Sequence, residues 1–194
     1  MPTIGILAIQ GDFQAHSQAL ARLGVPFRFV RKPSELCGLG GLILPGGEST
    51  TLLKFLQEEE LFEPIRQFAQ SNPVFGTCAG AILMADHVEN PSQPSLELIR
   101  MTVRRNAYGR QLASSIHTIE AESALDAGPE AGTPLEAVLI RAPLICQVGP
   151  EVKILARLAN QPMLVQQGLR LAGTFHPELT KDTRIHRYFC QMAS

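Results

Sequence analysis

The sequence has no excess of basic residues and no long apolar run, and each absence excludes a class of protein. Lysine and arginine number 17 against 18 aspartates and glutamates, so the charge does not favour a nucleic-acid partner. The apolar run within "MPTIGILAIQGD" is far shorter than the roughly 18 to 20 residues of a membrane span, and no positive segment precedes it. We therefore expect a soluble, cytoplasmic chain with no membrane association and with a small molecule or a protein as its partner.

The cysteines lack the spacing of a metal or disulfide framework. The four of them, Cys37, Cys78, Cys146 and Cys190, form no C-x-x-C pair and have no closely spaced histidines. The phosphate-loop pattern G-x-x-x-x-G-K-[ST] is also absent. We expect free thiols, no metal and no nucleotide-phosphate loop.

Strand and helix patterns alternate in the first half of the chain and give way to strands in the second. The first half predicts strands at 3–9, 26–30, 41–45 and 73–77, with helices at 13–23, 49–69 and 79–87. The second half predicts strands at 99–105, 113–121, 135–142, 152–158, 163–167 and 169–175, and a last helix in 182–192. Alternating β and α elements favour a parallel sheet covered on both faces, and Gly168 favours an antiparallel hairpin. We predict an α/β fold in one domain over 1–194: a three-layer mixed, mostly parallel sheet flanked by helices, with a surface loop at 122–134.

Cys78 lies in "VFGTCAGAI" (74–82), where an apolar strand runs into small residues. Gly76 and Gly80 give this segment the G-x-nucleophile-x-G form of a strand-to-helix elbow, in which a strained turn exposes the central side chain. The amino end of the following helix favours the reactive thiolate form. The alternative is a structural cysteine, since cysteine is among the most often buried residues. A nearby base would distinguish a nucleophile from a packing residue.

A candidate base lies in "TFHPEL" (174–179). Pro177 biases His176 toward an extended conformation, in which residues two apart point to the same side. Glu178 can therefore contact the His176 imidazole and fix its tautomer while His176 takes the thiol proton. The histidines at 16, 87, 117 and 186 have no such neighbour, and we expect them in packing or at the surface.

The segment "LILPGGEST" (42–50) leads an apolar strand into two glycines ahead of a predicted helix. Gly46 and Gly47 let the backbone approach a substrate and aim N–H groups at a developing oxyanion. Ser49 or Thr50 can cap the helix. The alternative is an ordinary capped turn.

Taken together and in this order, "LPGGEST", "GTCAG" and "FHPE" resemble the class I glutamine amidotransferases, whose glutaminase domain uses a Cys-His-Glu triad. The segments "RNAYGRQ" (105–111), "LIRAP" (139–143) and "IGILAIQGDFQAH" resemble the glutaminase subunits of pyridoxal 5′-phosphate synthase. The resemblance covers essentially the whole chain, and it implies the flavodoxin-like fold of these amidotransferases.

The resemblance also implies a role for individual residues. It implies Cys78 as the nucleophile, His176 as the general acid and base, and Glu178 as the residue that orients His176. Glutamine binding is implied for Gly47, Glu48, Ser49, Arg105, Ile140 and Arg141. Backbone N–H groups near Gly47 and Ala79 are expected to form the oxyanion hole.

The implied reaction is the hydrolysis of L-glutamine to L-glutamate and ammonia through a γ-glutamyl thioester, without a metal or an organic cofactor. The resemblance further implies that ammonia passes to a (β/α)₈-barrel synthase subunit, in a complex with twelve copies of each. Our hypothesis places the docking surface on the amino-terminal strand and helix, including Gln10 and His16. The rival interpretations are another cysteine-nucleophile α/β enzyme and a catalytically silent assembly subunit.

Overall fold

The computed structural model of the chain describes residues 1–106 and 114–194. Two sequence predictions fall partly outside these ranges. Residues 107–111 of "RNAYGRQ" lie outside the described residues, and so does position 113, the first residue of a predicted strand.

The described residues form five α-helices and twelve β-strands. The helices are Phe13–Arg22 (α1), Ser49–Glu58 (α2), Phe62–Phe68 (α3), Ala79–Met84 (α4) and Arg184–Met192 (α5). The strands are Ile4–Leu7 (β1), Phe27–Val30 (β2), Gly41–Leu44 (β3), Val74–Thr77 (β4), Ala85–Glu89 (β5), Ile99–Arg104 (β6), Ser114–Ala121 (β7), Leu135–Ile140 (β8), Leu144–Val148 (β9), Lys153–Leu158 (β10), Gln161–Gln167 (β11) and Arg170–Gly173 (β12).

The main sheet of the described residues has nine strands in the order β2-β1-β3-β4-β12-β11-β10-β7-β8. The neighbouring strands from β2 to β12 pair in parallel, and those from β12 to β8 pair antiparallel. The hairpin predicted around Gly168 joins β11 to β12. A smaller sheet has the order β5-β6-β9. The prediction of a mixed α/β sheet is confirmed.

Two hydrophobic clusters lie on opposite faces of the main sheet, and β1 shows how one strand serves both. Ile4 and Ile6 belong to the cluster that contains Leu20 of α1 and Phe189 of α5. Leu7 belongs to the other cluster, which includes residues of α2, α3 and α4. Strands β1, β3 and β4 are buried throughout, as expected for strands covered on both faces. The predicted three-layer arrangement is therefore present.

Two predicted helices differ from the structure, and one strand was not predicted. The helix expected over 49–69 is two helices, because the chain turns at Glu60, whose φ is +53°. The helix expected over 79–87 ends at Met84, and the following residues pair with β6 as β5. Strand β9 was not predicted, and it pairs antiparallel with β6. For β5 and β9, pairing with β6 decides the structure, and a short local pattern does not reveal such pairing.

The segment 122–134 is a largely exposed loop, as predicted. It is attached to the fold by the buried Leu125 and by Arg184, whose side chain is 3% exposed. The Arg184 guanidinium donates to both carboxylate oxygens of Asp182, the closest contact being 2.6 Å. It also donates to the backbone carbonyls of Thr133 at 2.9 Å and Pro134 at 3.2 Å. Arg184 thus fixes the end of the loop to the start of α5.

The docking hypothesis for the amino-terminal strand and helix is wrong for β1 and for His16. All residues of β1 are buried, and His16 has no exposed surface at all. The side-chain carbonyl of Gln10 is buried as well. Strand β1 and His16 pack inside the fold and are not available to a partner. Gln10 as a whole is partly exposed, and Gln14 and Gln18 on the outer face of α1 are exposed, so docking on that face stays a prediction.

Within residues 1–106 and 114–194, no helix has both the length and the apolar character needed to cross a bilayer.

Candidate active site

Loops at the carboxyl ends of neighbouring parallel strands bring the predicted functional segments together. Strands β3, β4 and β12 lie side by side in the sheet. They lead into the glycine pair at 46–47, into Cys78 and into His176, respectively. Strand β1 ends at the same edge and leads to Asp12. Ligands of open α/β sheets bind at this edge.

Cys78 occupies a strained turn between β4 and α4. Its φ of +47° and ψ of −103° are rare for an L-residue, and its N–H donates to the Gly173 carbonyl at 2.8 Å. A methyl group on Gly76 would lie 2.7 Å from the Gly80 carbonyl oxygen, and one on Gly80 would clash with the Leu44 carbonyl. The flanking glycines therefore let α4 pack against the sheet, and the predicted elbow is present.

His176 and Glu178 are both buried and in contact. The Nδ1 of His176 lies 2.7 Å from Oε1 of Glu178. The Pro177–Leu179 segment is a single 3-10 turn, which places the Glu178 carboxylate against the imidazole. The predicted contact is thus confirmed, although it arises from a turn and not from an extended chain. The His176 N–H donates to the Val138 carbonyl at 2.9 Å, which fixes the backbone of the turn to β8.

The electrostatics of the site favour a charged imidazole. Burial opposes the charge on His176, but its hydrogen bonds to Cys78 and Glu178 and the charges of both outweigh burial and raise the pKa of His176 to about 10. Burial raises the pKa of Glu178, and the hydrogen bond and charge of His176 act against that rise. The ionic form of the His176–Glu178 pair is favoured, because a 2.7 Å charge-assisted hydrogen bond compensates both charges at once.

A cavity of about 170 Å³ lies above Cys78 and His176. The predicted residues that line it are Gly47, Glu48, Ser49, Cys78, Arg105, Ile140, Arg141 and His176. Glu178 is not among the lining residues, since it lies against the Nδ1 of His176. Ala79 is the first residue of α4 and is buried beside Cys78. The structure therefore gathers the predicted set around one small cavity.

A second cavity, of about 230 Å³, lies between the start of β1 and α5 and contains Cys190. Burial raises the pKa of the Cys190 thiol to about 11, against the smaller effect of the Arg187 charge. Its described lining includes no histidine. The cavity at Cys78 combines a thiol with a histidine base and is therefore the better candidate for the active site.

Glu48 caps α2, a position that we assigned to Ser49 or Thr50. Its carboxylate accepts the N–H of Thr50 at 3.0 Å and that of Thr51 at 2.7 Å. Burial acts to raise the pKa of Glu48, but these hydrogen bonds outweigh it and lower the pKa to about 2. Arg105 donates to Glu48 at 3.4 Å and to the Thr50 hydroxyl at 2.9 Å. Glu48 thereby holds Arg105 at the cavity wall.

The other predicted binding residues have distinct contacts. Ser49 is buried and donates from its hydroxyl to Oε1 of Gln93 at 3.2 Å. The Cys78 sulfur lies 3.9 Å from the Ile140 carbonyl. Arg141 is exposed and has a φ of +44°. The tight turn after β8 therefore places a carbonyl beside the thiol and a cation at the mouth of the cavity.

Sequence reasoning missed Asp12. Its N–H donates to the Gly46 carbonyl at 3.1 Å, and its Oδ2 lies 3.7 Å from Nδ1 of His176. The available signal was an acid shortly after an apolar strand, at the edge where strands β1 and β3 end. Asp12, His176 and Glu178 also bring potential metal-ligand atoms within 4.8 Å of one another. The Nδ1 of His176 is already engaged by Glu178, and the expectation that no metal is needed stays a prediction.

Sequence and structure comparisons agree on the family. Residues 6–194 match the SNO glutamine amidotransferase family. The chain is 52% identical to the pyridoxal 5′-phosphate synthase subunit PdxT of Koribacter versatilis, over 97% of this chain and 94% of the relative. It is 49% identical to the PdxT subunit of Solibacter usitatus, over 97% and 98% of the two chains. A crystal structure of a glutamine amidotransferase superposes with a TM-score of 0.89 at 44% identity, covering 98% of each chain. The predicted amidotransferase-like fold is confirmed, and the chain belongs to the SNO glutamine amidotransferase family.

Proposed function

We propose that this chain is the glutaminase subunit of a pyridoxal 5′-phosphate synthase and hydrolyses L-glutamine to L-glutamate and ammonia. The observation that carries the proposal is the joint placement of Cys78, His176 and Glu178 at a cavity of about 170 Å³. The family match and the PdxT relatives at 49% and 52% identity support the same activity.

In the first half of the reaction, Cys78 attacks the side-chain amide carbon of glutamine as the thiolate, its proton having passed to His176. The oxygen of the tetrahedral intermediate accepts hydrogen bonds from backbone N–H groups at Gly47 and Ala79. His176 gives its proton to the departing nitrogen, the C–N bond breaks, and ammonia leaves. The raised pKa of His176 means that it carries this proton before the substrate binds.

In the second half, water attacks the γ-glutamyl thioester and His176 takes the proton of that water. The carbon–sulfur bond breaks, glutamate leaves, and the proton on His176 restores the initial state. Glu178 keeps the imidazole in one orientation and compensates its charge through the 2.7 Å contact.

Charged residues in the wall of the cavity bind the amino-acid head group of glutamine. Arg105 and Arg141 complement the α-carboxylate of glutamine. Glu48 stays ionised because its pKa is about 2, so it complements the α-ammonium while it holds Arg105. Gly47, Ser49 and Ile140 contribute to the remaining wall.

The relatives' name implies a synthase partner, and we propose that this chain delivers its ammonia to such a subunit in a cytoplasmic complex of twelve copies of each. Residues 1–194 act there as one glutaminase domain, without an organic cofactor or a metal. Neither a nucleic acid nor a membrane takes part.

The test is ammonia release from L-glutamine by the chain with and without its cognate synthase subunit. We expect turnover by the wild type and by Cys190→Ala, and none by Cys78→Ala. Absence of turnover by the wild type under both conditions would refute the enzyme and favour the silent assembly subunit. Turnover that survives Cys78→Ala would refute the assigned nucleophile.

A further inference from the structure

A chain of buried polar side chains lies behind Glu178, away from the substrate cavity. His16 of α1 and His186 of α5 are both 0% exposed, and the Nδ1 of His16 lies 2.9 Å from the Nε2 of His186. The Nε2 of His16 lies 3.1 Å from the hydroxyl of Thr77 and 3.6 Å from Oε1 of Glu178. His16, His186 and Thr77 do not line the cavity. The proposed reaction gives no role to this chain of side chains.

The hydrogen-bond geometry selects one tautomer for each imidazole. The Nδ1 of His186 has no hydrogen-bond partner among the described residues, and a buried N–H without an acceptor is costly. The proton of His186 therefore belongs on Nε2, from where it is donated to Nδ1 of His16. Nδ1 of His16 is then an acceptor, so the proton of His16 belongs on Nε2. If the proton of His16 were on Nδ1 instead, the lone pair of His16 Nε2 would face the carboxylate of Glu178, which is unfavourable.

Both imidazoles are neutral in the fold. Burial lowers the pKa of His16 well below its usual value, and a second positive charge beside His186 and the charged His176 is unfavourable as well. Burial lowers the pKa of His186 to about 3, with a smaller lowering by Arg22 and an opposing effect of Asp182. A neutral ring can still donate, and it adds no second positive charge to the site.

We propose that His16 is a positioning residue. Its Nε2–H donates to the Thr77 hydroxyl at 3.1 Å and lies 3.6 Å from Oε1 of Glu178, where its positive end favours Glu178 as the carboxylate that orients His176. The inference deepens the proposed glutaminase function and rests on it for its consequence in catalysis.

Glu178 needs this donor because its surroundings disfavour its charge. Burial raises the pKa of Glu178, and the nearby Asp12 carboxylate adds to that rise. His176 acts in the other direction from the catalytic side, while Oε2 of Glu178 has no partner among the described residues. A positively polarised N–H group close to a carboxyl favours its charged form. The His16 donor on the inner side therefore helps to keep Glu178 ionised at neutral pH.

The first experiment is the pH profile of kcat/KM for glutamine hydrolysis in the presence of the cognate synthase. His16→Phe keeps the ring but removes the donor, and we expect its acid limb to move to higher pH by about one unit. His16→Gln carries an amide N–H near the position of Nε2 and should restore the wild-type limb. His87→Gln, at an exposed position, should leave the profile unchanged. A His16→Phe enzyme with reduced kcat and an unmoved acid limb would show a merely structural role and overturn the proposal.

The second experiment does not depend on turnover. Nitrogen-15 NMR of the histidine rings should show His16 and His186 as neutral Nε2–H tautomers at pH 7. The carbon-13 shift of the Glu178 carboxyl should titrate at lower pH in the wild type and in His16→Gln than in His16→Phe, which lacks the donor. A neutral Nδ1–H tautomer for His16 would overturn the inference even if glutaminase activity is present. If the NMR spectra show the expected tautomers but the protein does not hydrolyse glutamine, the positioning of Glu178 by His16 is supported and the proposed function is refuted. If His16→Phe does not fold, the wild-type tautomer and the His16→Gln profile decide.

Discussion

Gly46→Ala should abolish most of the activity without removing any reacting group. Gly46 lies against the imidazole, so that a methyl group at this position would stand 3.0 Å from Nδ1 of His176, still closer to Cε1, and 3.3 Å from the Cβ of Cys78. Carbon contacts are most favourable near 3.5 to 4.0 Å. The ring would therefore move by on the order of 1 Å, and Glu178 would lose its alignment with Nδ1.

The size of the effect follows from the displacement. A misplacement of about 1 Å in a reacting group costs on the order of 100-fold in rate, which corresponds to about 2.7 kcal/mol in the activation barrier. Overpacking costs about 1 to 3 kcal/mol in the free energy of unfolding. We expect kcat to fall by about two orders of magnitude in a protein that remains folded at 25 °C.

The assay is glutamate formation with the cognate synthase present, together with thermal unfolding of each variant. Gly132→Ala is the matched control, because a methyl group there meets nothing within 4 Å and only the positive φ of +76° is penalised. It should lose a little stability and no activity. If Gly46→Ala is folded and retains more than about a third of the wild-type kcat, the close approach of this glycine to His176 does not set the geometry of the site.

Arg105→Gln should raise KM for glutamine about tenfold with little change in kcat, as measured by steady-state kinetics, because it removes a binding contact that is equal in ground and transition states; a reduced kcat at unchanged KM would contradict this. Arg184→Met should lower the free energy of unfolding by about 3 kcal/mol, since Asp182 and two loop carbonyls lose their donor; for this length the melting temperature should drop by about 6 to 12 °C, and an unchanged melting curve would refute the role of Arg184. Between pH 6.5 and 5, His186 takes up a proton in the unfolded state but stays neutral in the folded state, where its pKa is about 3. The free energy of unfolding therefore decreases as the pH falls. In urea unfolding, His186→Phe should reduce that slope by about 1.4 kcal/mol per pH unit, and equal slopes would refute it.

The elbow and the catalytic pair were predictable because their requirements are local. Gly76 and Gly80 flank Cys78 within five residues, and Glu178 is two residues from His176. What brings these segments together is the parallel pairing of β3, β4 and β12. The order of apolar strands in the sequence indicates such a sheet, and the carboxyl edge of the sheet then gathers the segments.

The parts that were not predictable depend on contacts between distant elements. His16 and His186 are 170 residues apart in sequence, and each alone resembles a packing or surface histidine. Their contact exists because α1 and α5 cover the same face of the sheet. Glu48 was missed as the cap of α2 because serine and threonine are the usual capping residues at such a turn. Residues 107–111, which carry part of a family motif, lie outside the described residues.

The position of β12 has a consequence for how the enzyme is made. This strand is close to the carboxyl end of the chain, yet it lies between β4 and β11 in the interior of the sheet. During synthesis the thiol of Cys78 is completed about a hundred residues before its base, and the central gap in the sheet stays open until Arg170–Gly173 is available. Contacts of such large sequence separation form late in folding. The nucleophile is therefore paired with His176 only when the sheet closes, so an incomplete chain carries the thiol but not the catalyst.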